Sequence, residues 1–288
     1  MTRISVVLAV FNEENNLRDC LQSAKDLADE FVIVDGGSSD KTLEIAKEFG
    51  AKIIQTDNPL IFHINKQKGL DVATSEWILQ LDADERLTKE LVEEIKLVIG
   101  MDVGELENYQ RSLPKRELFL RHQKLLEKRD GNIGTDTSEY TAFFIPRLNY
   151  FLGSYLRYGG VYPDGVIRLV KKGQAHFPCK SVHEQIVVEG KVGWLRRDLF
   201  HYDSPTFRRY IQKNMRYIKL IADELKEDRV DKNPVQLINY CFIKPIWWFL
   251  LTQIRYKGIL DGFPGIIFSF FSALRFPRAY IMYLLNLN

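Results

Sequence analysis

The chain has little cysteine, no excess of either charge and no long uncharged run, and each shortage excludes a class of protein. Its three cysteines in 288 residues, Cys20, Cys179 and Cys241, stand far apart with no CxxC pair. They build neither a zinc knuckle nor a disulfide framework, and a reducing, cytoplasmic compartment is expected. Forty Lys+Arg face 38 Asp+Glu, a net charge of +2, so there is no global case for nucleic acid. The uncharged stretches 245–254, 262–274 and 279–288 hold 10, 13 and 10 residues, whereas a bilayer-spanning helix takes about 20. No simple transmembrane helix is expected. Residues 1–14 also lack the small-residue cleavage site of a signal peptide.

What is present is a regular alternation. Ile4–Val10, 31–34, Lys52–Gln55 and Trp77–Leu81 are apolar runs of strand length. Helical patterns occupy 14–28, 41–49 and 64–73, and Thr88 caps a fourth helix reaching to about Gly100. Strands buried on both faces and alternating with helices predict an α/β fold with a mostly parallel, Rossmann-like sheet. Residues 101–139 form an atypical basic helical insert, with six cations in 113–129 (Lys115, Arg116, Arg121, Lys124, Lys128, Arg129) against Glu117 and Glu127. Strands are expected again around 140–145, 166–170 and 182–188. Ser204-Pro205 opens a long amphipathic helix to about Asp228. The domain boundary is placed between a 1–203 domain and a 204–288 helical tail.

Functional loops in such sheets gather at the carboxyl ends of the strands. Those ends read Phe11-Asn12-Glu13, Asp35-Gly36-Gly37-Ser38-Ser39-Asp40 and Asp82-Ala83-Asp84-Glu85, which together make one polar crevice. Asp82 and Asp84 offer paired oxygen ligands that suit Mg2+ or Mn2+ beside phosphate oxygens and water. The plainer reading is a solvated acidic turn. Asp35 offers an acceptor for a base or ribose where glycines admit a close ligand; otherwise it sits in a plain strand-to-helix turn, with Asp40 as the cap.

These segments, with Val7-Leu8-Ala9-Val10 before the first and Trp77-Ile78-Leu79-Gln80-Leu81 before the last, resemble glycosyltransferase family 2, of the GT-A fold. Ile145-Pro146-Arg147, Tyr162-Pro163-Asp164, Arg168-Leu169, Val182-His183-Glu184 and Lys257-Gly258-Ile259-Leu260-Asp261-Gly262 are similar to its lipopolysaccharide-core β-glucosyltransferase branch. The stretch 101–139 does not follow the pattern, and Gln67 stands where Asn is usual. The resemblance implies an inverting transfer of a hexose from a nucleotide sugar, UDP-linked, to a lipid-linked or envelope-glycan acceptor. It implies Phe11, Asn12, Glu13 and Asp35 around base and ribose, Lys66 near the diphosphate, and Asp82 and Ala83 at the nucleotide. Asp82, Asp84 and His183 are its metal residues. Glu184 ranks first as the general base and Asp164 second. His201 is expected to pack at the domain seam, and His63, His122 and His176 have no role.

One rival keeps the fold: a polyprenyl-phosphate sugar transferase, whose phosphate acceptor needs no base. A sugar nucleotidyltransferase is a second, but it calls for a Gly-rich basic loop where Asn12-Glu13-Glu14 stands, and a non-catalytic scaffold is a third, which the acidic crevice argues against. Beyond 233 the tail interleaves aromatics with five cations (Lys244, Arg255, Lys257, Arg275, Arg278) against Asp261. That composition predicts a peripheral helix on an anionic membrane, at the inner face of the cell membrane. A helical pair covering the enzyme's own core and a dimer contact are the alternatives, and oligomerisation is left open.

Overall fold

The first four apolar runs are strands. β1 (Ile4–Val10), β2 (Glu30–Asp35), β3 (Lys52–Gln55) and β4 (Trp77–Leu81) pair in parallel in the order β3-β2-β1-β4. Val6, Val7, Leu8, Val32, Ile33, Val34, Leu79 and Leu81 are fully shielded. Burial on both faces is why these strands read as continuous apolar runs. Helices α1 (Leu17–Ala24), α2 (Thr42–Glu48) and α3 (His63–Val72) connect them. α3 comes so close to β1 that a Cβ on Gly69 would lie 2.3 Å from Val7 Cγ1.

The computed structural model describes residues 2–135, 139–180 and 185–286. After β4 come β5 (Glu85–Arg86) and α4 (Lys89–Val98), capped by Thr88, whose Oγ1 accepts the Leu91 N–H at 3.1 Å. The basic stretch is helical: α5 (Val103–Arg111) opens on a capping box of Asp102 and Glu105, and α6 (Arg116–Asp130) follows. Phe119 of α6 stacks on Trp194 at 4.6 Å.

Next come β6 (Tyr140–Phe151), β7 (Ser154–Leu156), β8 (Gly165–Lys171), β9 (Ala175–His176), β10 (Val187–Val188), β11 (Lys191–Trp194) and β12 (Leu199–Ser204). The main sheet runs β3-β2-β1-β4-β8-β6-β12-β5, with β8 antiparallel to both β4 and β6 and β11 parallel to β6. A parallel half continued by antiparallel strands is the GT-A arrangement.

Two compact units divide the chain: Met1–Arg147 with Pro163–His201, and Leu148–Tyr162 with Tyr202–Asn288. A boundary drawn at 203/204 leaves 148–162 in the first unit. In the structure Phe151 and Leu156 form a core with Tyr210, with Phe268 and Phe271 packed on it. That apolar cluster draws the hairpin into the second unit. The same unit holds α7 (Phe207–Glu227), whose N-cap is Thr206, and then α8 (Pro234–Ile238). A π turn (Asn239–Ile243), α9 (Lys244–Leu250) and a second π turn (Leu251–Arg255) continue the run. A 3-10 turn (Gly258–Asp261), α10 (Gly262–Ala273) and α11 (Arg275–Leu284) complete it.

Among the described residues, one helical stretch, Gly258–Leu284, is long and apolar enough to cross a membrane. Counting uncharged runs did not return it, because the stretch joins a 3-10 turn, α10 and α11 and contains Asp261, Arg275 and Arg278. Arg275 is engaged inside the unit, where its Nε donates to Asn214 Oδ1 at 3.0 Å.

Candidate active site

The carboxyl end of β4 holds a chain of alternating charges. Lys66, on α3, places Nζ 2.6 Å from Asp82 Oδ1. Arg168, on β8, pairs with Asp82 Oδ2, donates to Glu85 Oε1 at 2.8 Å and also donates to Gln80 Oε1. Arg147, on β6, lies 3.4 Å from Glu85 Oε1 and 2.8 Å from Asp164 Oδ2. The backbone N–H of Asp82 donates to Glu85 Oε2 at 2.9 Å. Three cations thus link three carboxylates in the order Lys66, Asp82, Arg168, Glu85, Arg147, Asp164. Lys66, Glu85 and Arg168 are buried. Charges so placed require partners, because an unpaired one would shed its charge or destabilise the fold.

The protonation states follow from this packing. Burial opposes the Asp82 charge, but Arg168 and Lys66 overcome it and hold the carboxyl well below its usual range. At Lys66 burial wins, and the ammonium loses its proton more readily than an exposed lysine despite Asp82. Burial also works against the Arg147 charge, and there Asp164 and Glu85 prevail and raise its affinity for the proton.

The first two strand ends are stitched to each other. Asn12, with φ at 54°, donates its N–H to Ser38 Oγ at 2.8 Å and accepts from Ser39 N at 2.8 Å through Oδ1. Glu13 N donates to Thr42 Oγ1 at 2.8 Å, and its Oε2 accepts from Asn16 Nδ2 at 2.8 Å. Asp35 is fully buried and accepts from Gly37 N at 3.1 Å and Ser38 N at 3.0 Å, so its carboxylate holds the turn. Phe11 stands 44% exposed at the end of β1.

Ala83 is buried, and its carbonyl accepts from Arg86 Nη1 at 2.7 Å. Asp84 Oδ1 lies 3.6 Å from His201 Nε2. A carboxylate beside an imidazole is a donor pair that a divalent cation takes, its other ligands then being phosphate and water oxygens. Asp82 is differently placed, because both of its oxygens face cations. No group of three His, Cys, Asp or Glu side chains able to hold a metal occurs among the described residues. His183 and Glu184, the expected metal and base residues, lie outside the described residues.

Sequence reasoning gave Arg147, Arg168 and Glu85 no role. A signal existed: Arg168 interrupts the apolar run Val166-Ile167-Arg168-Leu169-Val170, and a guanidinium inside a buried strand must find carboxylates. His201 faces Asp84, and His122 accepts the Gly165 N–H at 3.1 Å, so both histidines do more than their spacing announced. Burial keeps His122 neutral, as an acceptor must be.

Residues 5–143 match the family model described as Glycosyl transferase family 2. An uncharacterized glycosyltransferase of Rickettsia typhi is 25% identical over 96% of this chain and 87% of its own length. The lipopolysaccharide core biosynthesis glycosyltransferase LpsC of Rhizobium meliloti is 26% identical over 94% of this chain and 91% of its own. Among solved structures, glucosyl-3-phosphoglycerate synthase of Mycobacterium tuberculosis, in complex with Mn2+, UDP and its product, matches with a TM-score of 0.29 and 22% identity. That match covers 34% of this chain and 39% of the other.

Proposed function

The chain belongs to glycosyltransferase family 2, and from that premise we propose that it transfers a hexose, with inversion, from a UDP-linked sugar to a lipid-linked or cell-envelope glycan acceptor. The observation that carries this reading is the ion-paired Asp82 at the end of β4, with Lys66 and Arg168 on its two oxygens. Cations fixed beside a crevice at strand ends are what a departing diphosphate requires. The lipopolysaccharide core relative supports an envelope acceptor.

In the proposed step an acceptor hydroxyl attacks the anomeric carbon on the face opposite the diphosphate. The new C–O bond forms as the bond from carbon to phosphate oxygen breaks, and the nucleoside diphosphate leaves with the electron pair. Glu184 takes the hydroxyl proton, with Asp164 the second candidate. Phe11, Asn12 and Glu13 border the nucleotide, and Asp35 keeps the second strand end in shape for it. Asp84, with His183, would hold Mg2+ or Mn2+, which supplies positive charge at the leaving group when bound.

A polyprenyl-phosphate acceptor is the second reading. It is favoured by the pairing of Asp164 with Arg147, which weakens that carboxylate as a base. A screen of nucleotide sugars with Mn2+, read as released nucleoside diphosphate with hydroxyl or phosphate acceptors, separates the two. Absence of both turnover and saturable nucleotide binding would overturn both.

A further inference from the structure

One helical run of the second unit, from α8 into α10, carries large apolar side chains on its outside. From Pro234 to Arg255 the chain is one helical run with two π turns. Val235, Ile238, Phe242, Ile246, Leu250 and Ile254 recur every three or four residues along it and are all exposed, Phe242 at 61% and Ile254 at 72%. The wide π turns slow the winding, so residues four apart stay in line. The opposite side is hydrogen-bonded towards α10, and Tyr240 on it stacks on Tyr280 at 4.9 Å. Buried Gln253 donates from Nε2 to Ser269 Oγ at 2.6 Å, and Trp248 Nε1 donates to Ser272 Oγ at 3.1 Å. Gly265 approaches so closely that a Cβ there would lie 2.4 Å from the Gly258 carbonyl oxygen. A helix pair in water has the reverse polarity. Small and hydrogen-bonding residues between helices, with large apolar ones outside, are the pattern of helices packed in lipid.

Charge points the same way. Exposed Ile259, Leu260 and Phe263 extend the apolar surface beyond the turn, next to exposed Arg255 and Lys257. Asp261, the one carboxylate in 234–288, turns inward and accepts from Arg157 N at 3.0 Å and Tyr158 N at 2.9 Å. We propose that this face embeds in an anionic lipid bilayer, entering one leaflet as a hairpin of α8 to α10 without spanning it. The limit comes from α11. Arg275 lies over the Tyr217 ring at 4.7 Å, and Arg278 Nη2 donates to Met215 Sδ at 2.8 Å, both on α7. α7 exposes Arg216, Lys219 and Asp223, so it and the helix bound to it stay in water. The surface belongs to the second unit alone and holds whichever donor and acceptor the first unit uses.

Co-sedimentation of the full chain with phosphatidylcholine vesicles, with and without phosphatidylglycerol, tests this. The parent should pellet with the mixed vesicles and only partly wash off in high salt. The quadruple substitution Phe242→Gln, Ile246→Gln, Leu250→Gln and Ile254→Gln removes exposed side chains and should weaken partitioning about 100-fold or more. Arg255→Gln with Lys257→Gln should weaken it about 30-fold on anionic vesicles and leave the weaker binding to neutral ones unchanged. Circular dichroism confirms that each variant is folded, and the charge variant carries the test if the quadruple one is not. The proposal is overturned if the parent stays in the supernatant. It is also overturned if neither variant shifts the partition, or if sedimentation shows a stable dimer that buries this face and ignores vesicles.

Discussion

At the scale of single residues, the crevice is a closed electrostatic circuit. Lys66, Arg147 and Arg168 are matched by Asp82, Glu85 and Asp164, three against three. Among the described residues of this chain of charges every cation is already paired, so a diphosphate would share Lys66 and Arg168 with Asp82, and nucleotide affinity should depend further on a metal at Asp84. Removing Mn2+ with a chelator should weaken UDP binding about 5- to 150-fold, and UDP should tighten Mn2+ binding by the same factor. Asp84→Ala should abolish that coupling at unchanged melting temperature; calorimetric titration that finds it intact would remove Asp84 from the metal site. Glu184→Gln should keep donor affinity and lose about 10²- to 10⁴-fold in turnover.

Asp82→Asn has a different signature, because it strands Lys66 and Arg168 and should cost about 3 kcal/mol of stability at neutral pH. The folded carboxyl titrates below its ordinary 3.8. Its contribution is therefore complete above pH 3.8 and fades as the pH falls below that value. Urea unfolding should show the gap between parent and variant closing only in that acid range.

At the scale of elements, close approaches decide what is tolerated. Gly69→Ala puts a methyl group against Val7 where α3 crosses β1, and should cost about 1–3 kcal/mol in denaturant unfolding. The four parallel strands were legible because burial on both faces leaves an uninterrupted apolar signal, as in Ile4–Val10. The strand-end loops were legible for a related reason, since carboxylates and glycines crowd where such strands stop. The partners that complete the site were not. Arg147 and Arg168 arrive from β6 and β8, some 60 to 90 residues after Asp82 and Glu85, with |i−j| of 62 and 86 for the pairs they make. Periodicity carries no information about pairings that distant. The hairpin 148–162 was hidden likewise, because Phe151 and Leu156 look like any strand residues until Tyr210 packs on them.

At the scale of the whole molecule, the tail is part of a folded unit. Removing 234–288 takes Phe268 and Phe271 off Phe151, Leu156 and Tyr210. The truncated chain should therefore bind a hydrophobic dye and aggregate, as light scattering would report; a monodisperse, active truncation would contradict this. The proposed seating of the outward apolar face on a bilayer, with the proposed lipid-linked acceptor, has a kinetic counterpart. An enzyme seated on a bilayer meets a lipid-linked acceptor by diffusion in two dimensions, so its rate follows the acceptor's mole fraction in the surface and not its amount per volume. Adding inert lipid at constant bulk acceptor should then slow the reaction by surface dilution, while a water-soluble acceptor fragment would be turned over at an unaltered rate.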